Sequence, residues 1–390
     1  MKHKLFTAGV LLLTSMAPAL AQDAPANPLE KEGYRLIFHD EFDGTTLDET
    51  KWIDDYNPAR QPRKVSATFY EMKDGIISLI INKKSPNNIN EYYMTGFISA
   101  CASTIDVDSI NKKRSKKTWI PREAPHINQY GYYEMRAKAQ IGGGVHSAWW
   151  MLGINDAYGQ NAEVDMFEIL GRDVNSIMST VHPANDKNVK YHTEYPWCAN
   201  KKLAEEFHVY GLDWTPEGVT VYVDGARVMS HKVPINYPMY QLISFYDNRK
   251  PTDNWTGPYD PSVPYPKTFQ VDYVRVYKKI PAGHQAVADQ DLRITKIEPA
   301  RLELDEGKAE RRFNRPGVHV KGTPSFVHVH YNDGTVTQQA VKWAPLSEEG
   351  LAHIKKTGTT IVTGQIKGLP DELLKGQEAV LIINTHKKNK

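Results

Sequence analysis

Hydrophobic and polar positions along this chain alternate in short runs, broken at intervals by Gly, Pro, Asn and Asp. Such runs predict β-strands at 34–44 (a strand running into a turn), 75–81, 96–100, 130–137, 176–182, 207–214, 219–225 and 269–277. The regular series ends near Lys279, and 281–292, polar and Ala-rich, reads as a linker. A second series follows at 294–304, 325–331, 341–343, 360–364 and 379–383, with a hairpin signal at Asn332-Asp333-Gly334. Helical periodicity is scarce, and 201–206 supports one turn at most. The pattern is that of an all-β chain made of two sandwiches, the second about the size of one small domain.

One stretch, 162–171, departs from simple alternation. Glu163, Asp165 and Glu168 are interleaved with Val164, Met166, Phe167, Ile169 and Leu170. In a regular strand Glu163 and Asp165 share a face, and Glu168 points the other way. One extra residue at Met166-Phe167, a β-bulge, restores the parity and brings all three acids to one surface. A solvated surface strand is the bland alternative. Against it, the flanking apolar residues place the strand inside a sheet, where crowded carboxylates repel and one of them holds its proton. Two carboxylates astride a glycosidic bond form the usual site of sugar hydrolysis, and the retaining version needs them about 5–5.5 Å apart. Four strand steps separate the Cα atoms of Glu163 and Glu168 by roughly 13 Å, so the acids also predict a curved sheet.

Length and composition narrow the setting. With 390 residues, 40% of them hydrophobic, the chain can fill two cores. A net charge of +2 supplies no general attraction for nucleic acid or a membrane surface. Met1-Lys2-His3-Lys4, an apolar run from Leu5 to Met16 and the small-x-small Ala19-Leu20-Ala21 read as a signal peptide over 1–21, with no following Cys to carry a lipid. No other apolar run has transmembrane length, so a secreted or periplasmic monomer is expected. Cys101 and Cys198 are the two cysteines, and their spacing leaves both pairing and non-pairing open. The long polar segment from Ala102 to Asn128 holds a basic run at 111–117, read as a solvated loop or as a grip for an acidic glycan. Trp119, Trp149, Trp150, Trp197 and Trp255 lie near turn-rich segments, and flat rings of this kind stack on pyranoses, although some must be core. His328 and His330 share a strand face but lack a third ligand, so they read as surface residues.

These residues carry a resemblance. His39-Asp40-Glu41-Phe42-Asp43-Gly44, Tyr130 to Arg136, Glu163 to Glu168, Trp214-Thr215-Pro216 with Val221 to Gly225, and Val271 to Tyr277 together resemble glycoside hydrolase family 16 over 34–280. The resemblance implies a curved β-sandwich jelly roll and a retaining endo-β-glycanase of the bulged E-x-D-x-x-E type. It makes Glu163 the nucleophile, Glu168 the acid/base and Asp165 the assisting carboxylate, with His182 on the next strand of the cleft. It implies no cofactor for the chemistry, and a structural calcium held by the Asp272 carboxylate and the Glu41 main chain. Where the family often reads Trp-Pro-Ala-Phe-Trp, this chain has His146-Ser147-Ala148-Trp149-Trp150, which puts a histidine at one sugar subsite. Residues 293–390 resemble a bacterial immunoglobulin-like domain, through Tyr331 to Thr335 and Thr359 to Gly364, and imply no chemistry.

The expected partner is a polysaccharide or complex glycan, a β-1,3 or mixed-linkage glucan or a β-galactan, bound by His146, Trp149, Trp150, His182, Trp255 and Trp119. The rivals are a non-catalytic glycan-binding protein, against which retention of three acids argues, and a transglycosylase using the same covalent intermediate. New reducing ends on a glycan panel separate the first rival, and products made with excess acceptor separate the second.

Overall fold

Side chains in a strand switch faces at every residue, so each run of alternating burial marks a strand packed on one side. The computed structural model describes residues 23–56, 67–86, 88–100, 126–154, 159–198, 202–306 and 323–387. The leader at 1–21, Cys101, the basic run and Trp119 lie outside the described residues. In chain order the strands of the larger unit are β1 (Tyr34–Asp40), β2 (Tyr70–Lys73), β3 (Ile76–Ile81), β4 (Asn88–Ile89), β5 (Tyr92–Ile98), β6 (Gly131–Lys138), β7 (Val145–Gly153) and β8 (Glu163–Leu170). They continue as β9 (Met178–His182), β10 (His192–Glu194), β11 (His208–Thr215), β12 (Gly218–Val223), β13 (Ala226–His231), β14 (Met239–Asn248) and β15 (Lys267–Lys279).

These strands form two sheets. One runs β13-β12-β11-β6-β15-β3-β2, with β1 added on β15; the other runs β10-β9-β8-β7-β14-β5-β4. Their facing sides share one apolar core, in which Val164, Met166, Phe167 and Ile169 of β8 meet Tyr210 and Leu212 of β11 and Phe269 of β15. The Phe167 ring lies 4.3 Å from that of Tyr210. The fold is a β-sandwich jelly roll.

The smaller unit is a six-stranded sheet built from β16 (Ile294–Ile297), β17 (Ala300–Asp305), β18 (Phe326–Tyr331), β19 (Val336–Trp343), β20 (Gly358–Ile366) and β21 (Ala379–His386). It has its own core around Val329, Ile354, Leu381 and Ile383, and its fold is immunoglobulin-like. It meets the larger unit through Arg35 of β1, whose guanidinium covers the Tyr331 ring at 3.9 Å and whose Nε lies 3.4 Å from Asp333.

The structure departs from the alternation pattern at the short strands β2, β4, β10 and β13, which were not among the candidates, and in three further places. β7 and β14 are absent from the strand candidates because they are buried on nearly all positions, which erases alternation. Two short helices, α1 (Glu348–Ile354) and α2 (Asp371–Leu374), stand where none was expected. The Ser347 hydroxyl caps the first by accepting the Gly350 N–H. Finally, Trp149 is not a sugar-binding residue: it turns inward into the core and donates Nε1–H to Gln241 at 3.0 Å.

The inward orientation of Phe167 can be tested directly. In a regular strand that kept Glu163 outside, Phe167 would face the cleft, and truncating it would cost little. Phe167→Ala is expected to destabilise the protein by about 3–5 kcal/mol, read from urea unfolding midpoints. A loss below about 1 kcal/mol would place the ring outside the core.

Candidate active site

The acids owe their arrangement to a misregister. Along β8, Trp149 of β7 pairs with Phe167 while Trp150 pairs with Asp165, so Met166 has no partner across the ladder. On the other side, Asp165 pairs with Thr180, and the next pair is Glu168 with Met178. The bulge therefore lies at Met166-Phe167. Both of these side chains go into the core, and Glu163, Asp165 and Glu168 share the outer face. The Ser179 hydroxyl donates to the Asp165 carbonyl at 2.7 Å, which ties the backbone beside the bulge to β9.

The outer face of this sheet is a cleft floor with a cavity of about 300 Å³ that takes in all three acids. His182, opposite Glu163 on β9, places Nε2 3.3 Å from Asp165 Oδ2 and 3.8 Å from Glu163 Oε1. His146 places Nε2 3.1 Å from Glu168 Oε1. Its ring is stacked on Tyr246 at 4.9 Å and meets the edge of Trp255 at 4.8 Å, so the contact to Glu168 is held by packing. Trp150 lies on the cleft face and donates Nε1–H to Ser244 at 2.8 Å.

Asp165 is buried, and burial, followed by the charges of Glu168 and Glu163, pushes its carboxyl well above the ordinary carboxylate value. Holding its proton more tightly than an ordinary carboxyl, Asp165 eases the repulsion between the two glutamates on either side of it. The arrangement thus suits one ionised carboxylate and one protonated carboxyl acting on the same bond.

Of the residues expected at the site, Glu163, Asp165, Glu168, His146, Trp150 and Trp255 line one cavity, with His182 at its edge. Trp149 does not reach it. Sequence reasoning missed Tyr56, Tyr92, Met94, Ala148 and Tyr246, which complete the lining. The signal for Tyr246 was faint, because β14 has no readable alternation.

Residues 123–275 match the model of the glycosyl hydrolases family 16, and residues 319–369 match a bacterial Ig-like domain (group 4). The segment that carries the three acids is thus similar to the glycosyl hydrolases family 16. Glucan endo-1,3-β-glucosidase A1 of Niallia circulans is 28% identical over 274 residues, covering 63% of this chain and 38% of that protein. Endo-1,3-1,4-β-glycanase EglC of Rhizobium meliloti is 27% identical over 241 residues, covering 59% of this chain and 45% of that protein. The match thus spans less than half the length of either relative. A GlcNAcα1-4Gal-releasing endo-β-galactosidase from Clostridium perfringens shares the fold, with a TM-score of 0.59 and 23% identity over 89% of this chain and 85% of that one.

The calcium site that the family resemblance implied would draw on the Asp272 carboxylate and the Glu41 main chain. Glu41 is gripped by Arg275 at 2.9 and 2.6 Å, and the Asp272 carboxylate is gripped by Arg136 at 2.6 Å. The Arg136 guanidinium thus already matches the Asp272 carboxylate, while the pairing with Arg275 engages the Glu41 side chain and not its main-chain carbonyl.

The raised Asp165 leads to a stability prediction. A carboxyl whose folded-state pKa is raised adds most to stability below its unfolded value, near 3.8, and loses that contribution as pH climbs through the folded value. Asp165→Asn has no proton to lose. Its unfolding free energy relative to wild type is expected to rise with pH from about pH 4 upward, measured by urea unfolding at about pH 4, 6 and 8. A difference that stays flat with pH would mean that Asp165 ionises normally.

Proposed function

We propose that the protein is a secreted retaining endo-β-glycosidase that hydrolyses internal β-linkages of a polysaccharide or complex glycan. The observation that carries this reading is the set of three carboxylates turned to one face by the β8 bulge, with a buried Asp165 between the other two. Glu163 attacks the anomeric carbon as the carboxylate while Glu168 gives its proton to the departing glycosidic oxygen, leaving a covalent glycosyl-enzyme. Glu168, now ionised, takes a proton from water as the water displaces Glu163. Asp165 donates a hydrogen bond to Glu163, and that bond strengthens when the nucleophile leaves. His146 fixes the Glu168 carboxyl from the opposite side.

β-1,3 or mixed-linkage glucans and β-linked galactans are the substrate classes this reading admits, and the two named relatives are called a glucan endo-1,3-β-glucosidase and an endo-1,3-1,4-β-glycanase. A polar imidazole at His146, in place of a stacking indole, tilts the choice toward a galactan. The leader at 1–21 supports export of the enzyme to its glycan.

Glu168→Gln is expected to lower kcat by about 10²–10⁴-fold, and Glu163→Ser to remove nearly all hydrolysis, with both variants folded by circular dichroism. Release of reducing ends from β-glucans and β-galactans measures both. A fully active Glu163→Ser protein would overturn the assignment.

A further inference from the structure

The register of the cleft sheet allows the floor to be followed strand by strand in both directions from the acids. Toward β7, Glu168 is opposite Ala148, Ala148 opposite Ser244 of β14, and Ser244 opposite Gly96 of β5. This row of small residues is a trench. One wall is Trp150, Leu242 and Ile98, which follow Asp165 across the sheet; the other is His146, Tyr246 and Met94. The trench does not run off the sheet. The Tyr56 ring stands over Gly96, where an added Cβ would lie 3.0 Å from Tyr56 Cδ2. Its hydroxyl is hydrogen-bonded to that of Tyr246, and the Tyr92 ring lies 5.5 Å from the Tyr246 ring. Between Glu168 and this block lie β7 and β14 alone, about 10 Å of floor, the length of about two pyranose rings.

In the other direction the floor continues across β9 and β10. Asp165 is opposite Thr180 and Thr180 opposite Thr193 of β10, with the two hydroxyls 3.0 Å apart. The same register continues to a bridge between Ser176 and Trp197, so Tyr191, Thr193, Tyr195 and Trp197 all face the cleft side of this edge segment. Tyr191 is 60% exposed, Tyr195 58% and Trp197 70%. Together with Trp255 these are the exposed large aromatic side chains among the described residues, and all four lie on the face that carries the acids. A soluble sheet edge has no reason to display three aromatic rings in a line unless something flat lies on them. The Tyr191 ring is 5.4 Å from the His182 ring, which joins this shelf to the catalytic acids.

We infer that the cleft has one blind arm that holds about two sugars and ends at Tyr56, and one open arm that carries the rest of the glycan on the shelf of Tyr191, Tyr195 and Trp197. The inference rests on the glycosidase reading and deepens it. The enzyme cuts the internal linkage about two sugars from one chain terminus and releases a short saccharide of narrow size.

Two measurements test it. Laminarin, barley mixed-linkage glucan and porphyran are digested with the wild-type protein, and the earliest products are sized by mass spectrometry. One short product of about two sugars, present from the first time point while the polymer shortens slowly, supports the blind arm. An early ladder of long oligosaccharides overturns it and leaves the glycosidase reading intact, whereas no new reducing ends on any polymer sinks both. The shelf is read without chemistry, in a Glu163→Ser background, by retardation in gels containing the same polymers. Adding Tyr195→Ala or Trp197→Ala is expected to weaken retardation about two- to tenfold, while Ile361→Ala, an exposed position on the smaller unit, leaves it unchanged. Unchanged retardation in both shelf variants overturns the open arm.

Discussion

Everything at the site depends on one residue too many in β8. Because the side-chain period of a strand is two, the sheet must choose which face receives each acid, and the core enforces the choice. Met166 and Phe167 are both drawn inward by the same apolar cluster that holds Val164 and Ile169. Glu168 then has nowhere to go but the cleft. The packing energy of two adjacent core residues is thus what sets the face of a carboxylate, and the chemistry inherits its geometry from the hydrophobic effect.

The neighbouring strands extend that logic. On the cleft face, Tyr56, Met94, Ile98, Ala148, Leu242 and Tyr246 form a second apolar cluster, separate from the main core. An apolar floor lowers the local polarity around the acids, which is why the Asp165 carboxyl is pushed well above the ordinary carboxylate value and why a hydrogen bond made there is stronger than one made in water. His146 belongs to both systems: its ring packs in the aromatic wall against Tyr246 while its Nε2 faces Glu168.

The legibility of this arrangement in the sequence followed the physics of each element. The bulge was readable because three acids at 163, 165 and 168 conflict with strict alternation, and only one repair satisfies both the acids and the flanking apolar residues. Trp149 and Trp150 could not be separated by type, since adjacent residues differ only in parity and parity needs a strand frame; the β7 register turns one in and the other out. β14 was silent because a central strand buried on both sides has no polar face to reveal its period. Tyr56 reaches the cleft from a segment outside the sheet ladder, a tertiary contact that no local pattern encodes. Of the shelf, Trp197 alone stood among the candidate stacking rings; Tyr191 and Tyr195 share its parity, but without the Thr180 to Thr193 pairing that spacing names no face.

A buried charge cluster explains how the far wall keeps its place. Trp255 sits on the connection from β14 to β15, a segment with little regular structure of its own. At its two ends stand Asp247 and Lys267, both fully buried, with Lys267 Nζ 2.8 Å from Asp247 Oδ1. The other Asp247 oxygen accepts from Arg249 at 2.8 Å and from the Tyr265 hydroxyl at 2.7 Å. Arg249 in turn donates to the carbonyls of Lys83 and Asn82 and lies 3.5 Å from the Tyr93 ring. Apolar packing of the same volume would serve stability as well or better, because desolvating an ion pair costs several kcal/mol. What a saturated set of directional bonds adds is position. It clamps both ends of the connection, and the Arg172 Nε–H to the Trp255 carbonyl, at 2.7 Å, holds its middle. The indole is thereby kept against His146, and through His146 a network remote from the acids bears on the carboxyl that must give up its proton.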